Sequence, residues 1–478
     1  MSKLSFERVA GEAGASKQET VHAEQQAPGS STPDSGHERG QAQTPGSPPD
    51  SSSSGSSSSS ALDTPQGSSS NVSMGPSAAW AELEETHGSR DVVRSGPQSL
   101  GQSRLYFSSE YLEDADSFNC TASYRLSGPL DVPKLAKALS MVMDRHDIFR
   151  TRFYTEPSTG RAVQAVVGGP PRFKLKVLEG RDDAADVRAE FRRINEYPFD
   201  LAAGDTMVAS LLCHGAQSHT LVFGYHHIIL DGVSWQLFLQ DLGAFYRGDA
   251  SRAQDLGAPG QCIDFAEKQR RDMDSGAYAE RLDYWRAVFP EPPAPLPLFP
   301  FAKVGARRAL RRYRMRERTV SVDARLIGSI KRAGVASRTT PFHVWLAGFQ
   351  VLLHRLLDTA DFCVGIVDAN RADAAFGGTI GFLLEIMPVR FSVGGDEAFS
   401  DVLRKTRAKT YSALARSSLQ SVSPTTVAST NAFALKIAAG TVSSSNPKAL
   451  GMPKDAAAKP PSICPCTLNG ITLLTPSL

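Results

Sequence analysis

Two adjacent histidines, His226 and His227, followed by Asp231 and Gly232, are the residues of this 478-residue chain whose types and spacing could do chemistry. A neutral imidazole with a free pKa near about 6.5 can take a proton from an attacking amine or hydroxyl, which is the work of a base held in place for acyl transfer. On an extended backbone neighbouring side chains point to opposite faces. His226 and His227 therefore do not converge on one substrate atom or one metal ion, and one is expected to face inward as structure while the other faces outward as chemistry. A two-histidine, one-carboxylate metal site needs convergent ligands, so no metal is expected. Asp231 stands where a carboxylate can cap the free amides of a helix or pair with a cation. Gly232 is expected to permit a backbone conformation or a close approach that a side chain would block. A histidine pair at the end of a strand can also be plain packing, but the spaced aspartate and glycine favour the chemical reading. The chain has no Gly-x-Ser-x-Gly turn, phosphate loop or dinucleotide fingerprint to suggest another chemistry.

The elements that must position these residues can be read on either side of them. Thr206 to Cys213 and His219 to Tyr225 read as strands, and Val233 to Leu242 spaces its apolar residues as a helix buried on most of its surface. The histidines thus sit at a strand-to-helix junction. Asn119 to Leu126 alternates as a strand does, and Asp131 to Met143 is an amphipathic helix with proline in its first turn. An arginine-rich turn from Arg145 to Arg150 then leads into another strand.

Composition limits the rest. Residues 1–95 are mostly Ser, Gly, Pro, Gln, Glu and Ala, with a nearly pure serine run from Ser51 to Ser60, and are expected to be a disordered linker. The formal net charge of +2 argues against a nucleic-acid partner. No signal-peptide core and no apolar run of about 18 residues is present, so no membrane partner and a cytoplasmic location are expected. The six cysteines are scattered, and Cys464-Pro465-Cys466 is too closely spaced for a zinc knuckle. From Arg312 to Arg318 arginines alternate, which reads as a solvated strand face or as a dock for a phosphate or an acidic carrier protein.

His226-His227-Ile228-Ile229-Leu230-Asp231-Gly232 resembles the HHxxxDG signature of the condensation domains of nonribosomal peptide synthetases, within the chloramphenicol acetyltransferase-like acyltransferases. Further motifs follow in the family's order. Ser99-x-x-Gln102-x-Arg104-Leu105-Tyr106 resembles its opening motif and Arg145 to Phe153 its RHxxLRTxF motif. Asp264-Phe265-Ala266 and Tyr284-Trp285 resemble the segment linking the lobes. Thr340-Pro341-Phe342-His343 leading into Val351-Leu352-Leu353 is similar to the large helix of the second lobe. Ile380-Gly381-Phe382 with Met387-Pro388-Val389-Arg390 is similar to the IGxFxNxxPxR stretch. The Ser/Pro/Gly-rich linker ahead of these motifs is similar to the junction before the condensation domain in fungal polyketide synthases of the lovastatin nonaketide synthase type and in polyketide-peptide hybrids.

The resemblance implies a mixed α/β fold of two chloramphenicol acetyltransferase-like lobes in a V with a tunnel between them. It places the N-terminal lobe at 96–265 and the C-terminal lobe at 266–418. His227 would be the catalytic base or would hold the nucleophile beside a thioester. His226, Asp231, Gly232 and Arg150 would be structural, with Arg150 as the cation paired to Asp231. Glu385, standing where the family usually has Asn, together with Ser234 and Trp235, would border the tunnel. No tightly bound cofactor is implied. The donor would be an acyl group on the 4'-phosphopantetheine of an acyl or peptidyl carrier protein, and the acceptor a small amine or hydroxyl. After Ser418 the family pattern stops, and 419–478 is Ser/Thr/Ala/Lys/Pro-rich. The second lobe is therefore expected to be incomplete, which leaves a catalytically impaired remnant as an alternative. A coenzyme A-dependent acyltransferase of the same superfamily is the other alternative, although no DFGWG-like motif occurs.

Overall fold

The computed structural model describes residues 91–417 apart from 174, 181–183, 249–258, 292, 307–314 and 317–321, together with 6–9, 435–437, 471–473 and 475–476. In chain order the first lobe comprises β1 (Phe6–Val9), β2 (Val92–Pro97), α1 (Leu100–Tyr111), β3 (Asn119–Ser127) and α2 (Val132–Arg145). It continues with β4 (Thr151–Thr155), β5 (Ala162–Val167), β6 (Leu175–Glu179), α3 (Ala184–Asn195), β7 (Met207–Gly215), β8 (Ser218–His226) and α4 (Gly232–Arg247). The linking helices are α5 (Cys262–Asp274) and α6 (Ala279–Val288). The second lobe holds β9 (Met315–Arg316), α7 (Ala324–Ala336), α8 (Pro341–Leu357), β10 (Asp361–Asp368), β11 (Glu385–Ser392) and α9 (Phe399–Leu414).

The first-lobe sheet runs β1-β3-β8-β7-β6, parallel between β6 and β7 and antiparallel elsewhere. Strand β8 is buried along nearly its whole length because helices cover both faces of the sheet. On one face Leu221, Phe223 and Tyr225 meet Leu135, Leu139, Val142 and Met143 of α2, and Phe238 and Leu242 of α4. Those α2 positions recur at helical spacing, and Asp131 starts that helix by accepting from Lys134 N at 2.9 Å. On the other face Leu212 and Val222 meet Ile194 of α3. A Cβ on Gly224 would lie 2.2 Å from the Ile194 side chain, so α3 can pack this closely only over a glycine. A smaller sheet orders β2-β5-β4.

The second lobe has its own core. Leu346, Leu353 and Leu357 of α8 pack against Val364 of β10, Met387 and Phe391 of β11, and Val402 and Leu403 of α9. Among the described residues its sheet is the antiparallel pair β10–β11, while β9 pairs with Thr475–Pro476. No described helix is long and apolar enough to cross a membrane.

Three boundaries differ from the expectation. The fold begins at Val92, inside the range 1–95 assigned to a linker, because β2 completes a sheet with β5. Phe6–Val9 also forms a strand, paired with β3. The division at 265/266 falls within α5, and the cores do not follow it: Phe376, Ile380 and Leu383 belong to the first-lobe core together with Cys262 and Phe265. The connection between β10 and β11 therefore leaves the second lobe, buries apolar side chains in the first, and returns. The rest of 1–95, nearly all of 419–478, Cys464 and Cys466, and most of the Arg307–Arg318 run lie outside the described residues.

Candidate active site

Strand β8 ends at His226, and His227 opens a single turn of 3-10 helix, His227–Ile229, before α4 begins. The main chain is pinned on both sides of the pair: His226 N donates to Thr206 O at 3.0 Å and His227 N to Phe118 O at 2.9 Å. The two side chains then separate. His226 is 2% exposed, lies edge-on to Phe118, and accepts from Ile228 N through Nδ1 at 3.2 Å. His227 is half-buried. Its Nδ1 lies 2.7 Å from the Leu230 carbonyl oxygen. A carbonyl only accepts, so Nδ1 carries the proton, and in the neutral ring Nε2 is the basic nitrogen. Phe382 stands edge-on to this imidazole, ring centres 5.2 Å apart, and helps to hold its plane.

Burial, reinforced by the neighbouring His227, pushes His226 down to about 3. In the unfolded chain the ring titrates near its ordinary 6.5, so between those values the unfolded state binds a proton that the folded state refuses. Stability held above 6.5 is consequently lost as pH falls toward 3, at up to about 1.4 kcal/mol per pH unit for this one group. Urea unfolding at several pH values is expected to show this slope, and His226→Asn to flatten it. His219 and His343 are also lowered by burial and contribute to the total, so the wild-type minus variant difference isolates His226. Equal slopes in the two proteins would contradict the assignment.

Asp231 is 1% exposed and acts as the N-cap of α4, accepting from Ser234 N at 2.8 Å. Its cation is not Arg150 but Arg371, from the β10–β11 connection, whose Nη2 lies 3.0 and 3.1 Å from the two carboxylate oxygens. Arg150 is held elsewhere, by the Asp147 carboxylate and by Asp144 O at 3.1 Å. Arg371 also donates to Phe376 O at 3.1 Å, Thr379 O at 2.7 Å and Ser234 Oγ at 2.8 Å. The second Asp231 oxygen accepts from Leu383 N at 3.1 Å. Ser234 Oγ donates to Gly381 O at 2.6 Å and accepts from Gly381 N at 3.0 Å. Asp231, Ser234 and Arg371 thus form one buried polar knot that ties the start of α4 to 380–383 and keeps Phe382 against His227.

Three further expectations need correction. Gly232 has ordinary φ, and a Cβ there would meet nothing within 4 Å, so neither conformation nor crowding requires glycine. Beside Phe382 the crowded glycines are Gly101, where a Cβ would lie 2.9 Å from the Phe382 ring, and Gly381, where it would lie 2.5 Å from Cys262 Sγ. Trp235 is a core residue of the first lobe rather than part of a tunnel wall. It is 7% exposed, stacks on Tyr225 and Phe238, and donates from Nε1 to Tyr124 Oη at 2.6 Å. Ser234, fully buried in the knot, has the same structural character. Glu385 is neither exposed nor isolated. It is 2% exposed and pairs with Arg104 of α1 at 3.2 Å, a tie between α1 and the start of β11.

Sequence reasoning missed Arg371, the Leu230 carbonyl and Phe382's place beside the imidazole. Phe382 stood inside a quoted motif. Arg371 had no local signal, because a single arginine in a loop after a strand is ordinarily a solvated charge.

The Condensation domain family model matches residues 95–420. Among curated proteins, the chain is 49% identical over 326 residues to the PKS-NRPS hybrid synthetase psoA of Aspergillus fumigatus, a match covering 68% of this chain and 8% of that protein. It is 42% identical over 327 residues to the polyketide synthase-nonribosomal peptide synthetase hybrid himA of Aspergillus japonicus, covering 67% and 8% respectively. The chain thus spans a small part of the length of the relatives it matches. Among solved structures, the condensation domain of the Monacolin K polyketide synthase MokA superposes with a TM-score of 0.61 at 25% identity, over 69% of this chain and 75% of that one. The first condensation domain of the calcium-dependent antibiotic synthetase, at 22% identity and a TM-score of 0.57 over 69% and 76%, shares the fold.

Proposed function

We propose that this chain, which belongs to the condensation-domain family, joins a polyketide acyl group carried as a phosphopantetheine thioester to a small amine or hydroxyl acceptor. The observation that carries the reading is the His227 tautomer: with Nδ1 held by the Leu230 carbonyl, Nε2 is the nitrogen that can accept a proton. As the acceptor attacks the thioester carbonyl, its proton passes to Nε2, the C–S bond breaks, and the departing thiolate takes that proton from Nε2 to leave as the pantetheine thiol. His227 does this by holding the nucleophile, by taking its proton, or by both, and positioning contributes much of the acceleration. His226 stays neutral and shapes the turn, while Asp231 and Ser234 hold the loop through Arg371. The names of the relatives, hybrids of polyketide and nonribosomal peptide synthetases, support a polyketide donor and a carrier-protein partner.

The test supplies one acyl group in three forms, on a phosphopantetheinylated carrier protein, as an N-acetylcysteamine thioester and as a coenzyme A ester, with a panel of amines and alcohols. Mass spectrometry of the products is expected to show amide or ester from the first two donors. Transfer from coenzyme A alone would favour a free acyltransferase instead. No transfer from any donor by a folded chain would favour a non-catalytic remnant.

A further inference from the structure

The bond from His227 Nδ1 to Leu230 O fixes which nitrogen carries the proton, but such a bond does not by itself fix the plane of an imidazole, because χ2 of histidine is broad. Phe382 meets the ring from the side. Its plane stands at 85° to the imidazole with ring centres 5.2 Å apart, a favourable edge-to-face arrangement. Phe382 is itself 3% exposed and has little room to move. Its carbonyl accepts from Ser99 Oγ at 3.4 Å, and the next amide, Leu383 N, donates to Asp231 at 3.1 Å. Helix α1 backs the Phe382 ring and also touches the His227 turn.

The residue of α1 behind Phe382 is Gly101, buried in a first turn closed by a capping box: Gln102 N donates to Ser99 Oγ at 3.1 Å and Ser99 N to Gln102 Oε1 at 2.9 Å. Glycine is among the poorest helix formers, so helix formation does not ask for it here. Tertiary packing does. A Cβ at this position would lie 2.9 and 3.1 Å from two atoms of the Phe382 ring and 3.0 Å from Leu384 O. We propose that Gly101 and Phe382 are a positioning pair for His227. Phe382 fixes the plane of the imidazole and so the direction in which Nε2 points, and the missing side chain at Gly101 sets how deep the Phe382 ring can sit. Both residues are buried and act through His227. Their effect on rate rests on the acyl-transfer reading above, whereas their hold on the ring does not.

The test compares Phe382→Leu, Gly101→Ala and the double variant with the wild-type full chain. Long-range proton–nitrogen NMR of the histidine rings reads the imidazole directly, with the His227 signals identified by their loss in His227→Ala. One sharp set of signals with the proton on Nδ1 is expected in the wild type. In Phe382→Leu the set is expected to shift and broaden as the ring samples more than one orientation. With the N-acetylcysteamine thioester as donor, kcat of that variant is expected to fall about tenfold with KM little changed, the mark of misplacement rather than of a lost substrate contact. Gly101→Ala is expected to move the His227 signals and lower kcat when Phe382 is present, and to add little in the Phe382→Leu background, where the smaller side chain makes room for the methyl. Sharp, unshifted His227 signals or an unchanged kcat in Phe382→Leu would overturn the proposal. So would a Gly101→Ala effect of equal size with and without Phe382, or a rise in KM at constant kcat, which would make Phe382 a substrate contact. A wild-type chain that transfers nothing overturns the acyl-transfer reading instead, and the NMR comparison still decides the pair. The Phe382→Leu comparison stands by itself if Gly101→Ala fails to fold.

Discussion

Replacing His227 with alanine is expected to lower acyl transfer from a thioester donor by about a hundredfold or more while leaving the protein folded. The two halves of that expectation rest on different contacts. In the proposed reaction the imidazole contributes Nε2 as the base, in a tautomer fixed by the 2.7 Å contact of Nδ1 to Leu230 O. The turn itself is held mainly by main-chain bonds that alanine retains, His227 N to Phe118 O and Leu230 N to His227 O. Half-burial of the ring limits the packing loss. The checks are single-turnover rates on an N-acetylcysteamine thioester, paired with urea unfolding. Full turnover in the variant would remove both the base role and the positioning role. Loss of rate at low pH is expected for either role, because a protonated Nε2 can neither take a proton nor accept a hydrogen bond from the nucleophile.

The second large effect is on stability, and it contrasts two arginines. Arg371→Ala removes the cation from a carboxylate that is 1% exposed and also frees the carbonyls of Phe376 and Thr379. Breaking such a pair from one side leaves an uncompensated buried charge, so a loss of about 3–5 kcal/mol is expected. Arg150→Ala loses only a part-buried pair with its near neighbour Asp147 and a bond to Asp144 O, for which about 1 kcal/mol is expected. Chemical denaturation of the two variants decides the matter, and a larger loss at Arg150 would contradict the pairing described above. The double variant Arg371→Met, Asp231→Asn is expected to recover part of the loss, because removing both charges is far less costly than removing one.

What could be read from the sequence follows from the range of the interactions involved. The strand before His226, the helix after Asp231, the capping role of that aspartate and the opposed faces of the two histidines were all legible. Each is set by backbone geometry and side-chain periodicity over a few residues. The ordered motifs placed the chain in its family for the same reason, since each is a local string. The misreadings at Gly232, Trp235, Ser234 and Arg150 share the opposite character. Whether a glycine is crowded depends on what lies across from it: open space at Gly232, Cys262 at Gly381. Trp235 could have faced either way until Tyr225 and Phe238 were seen to stack on it.

By itself, then, the sequence determined the local script of this protein: a strand, a histidine pair and a capped helix. Only the tertiary structure decided which cation answers Asp231 and what holds the imidazole. Arg371 lies 140 positions away in the chain. It reaches the aspartate because Phe376, Ile380 and Leu383 draw the β10–β11 connection into the first-lobe core. Burial of that apolar surface is non-directional and carries no local signature, whereas the charge pairing it makes possible is specific once the two segments have met.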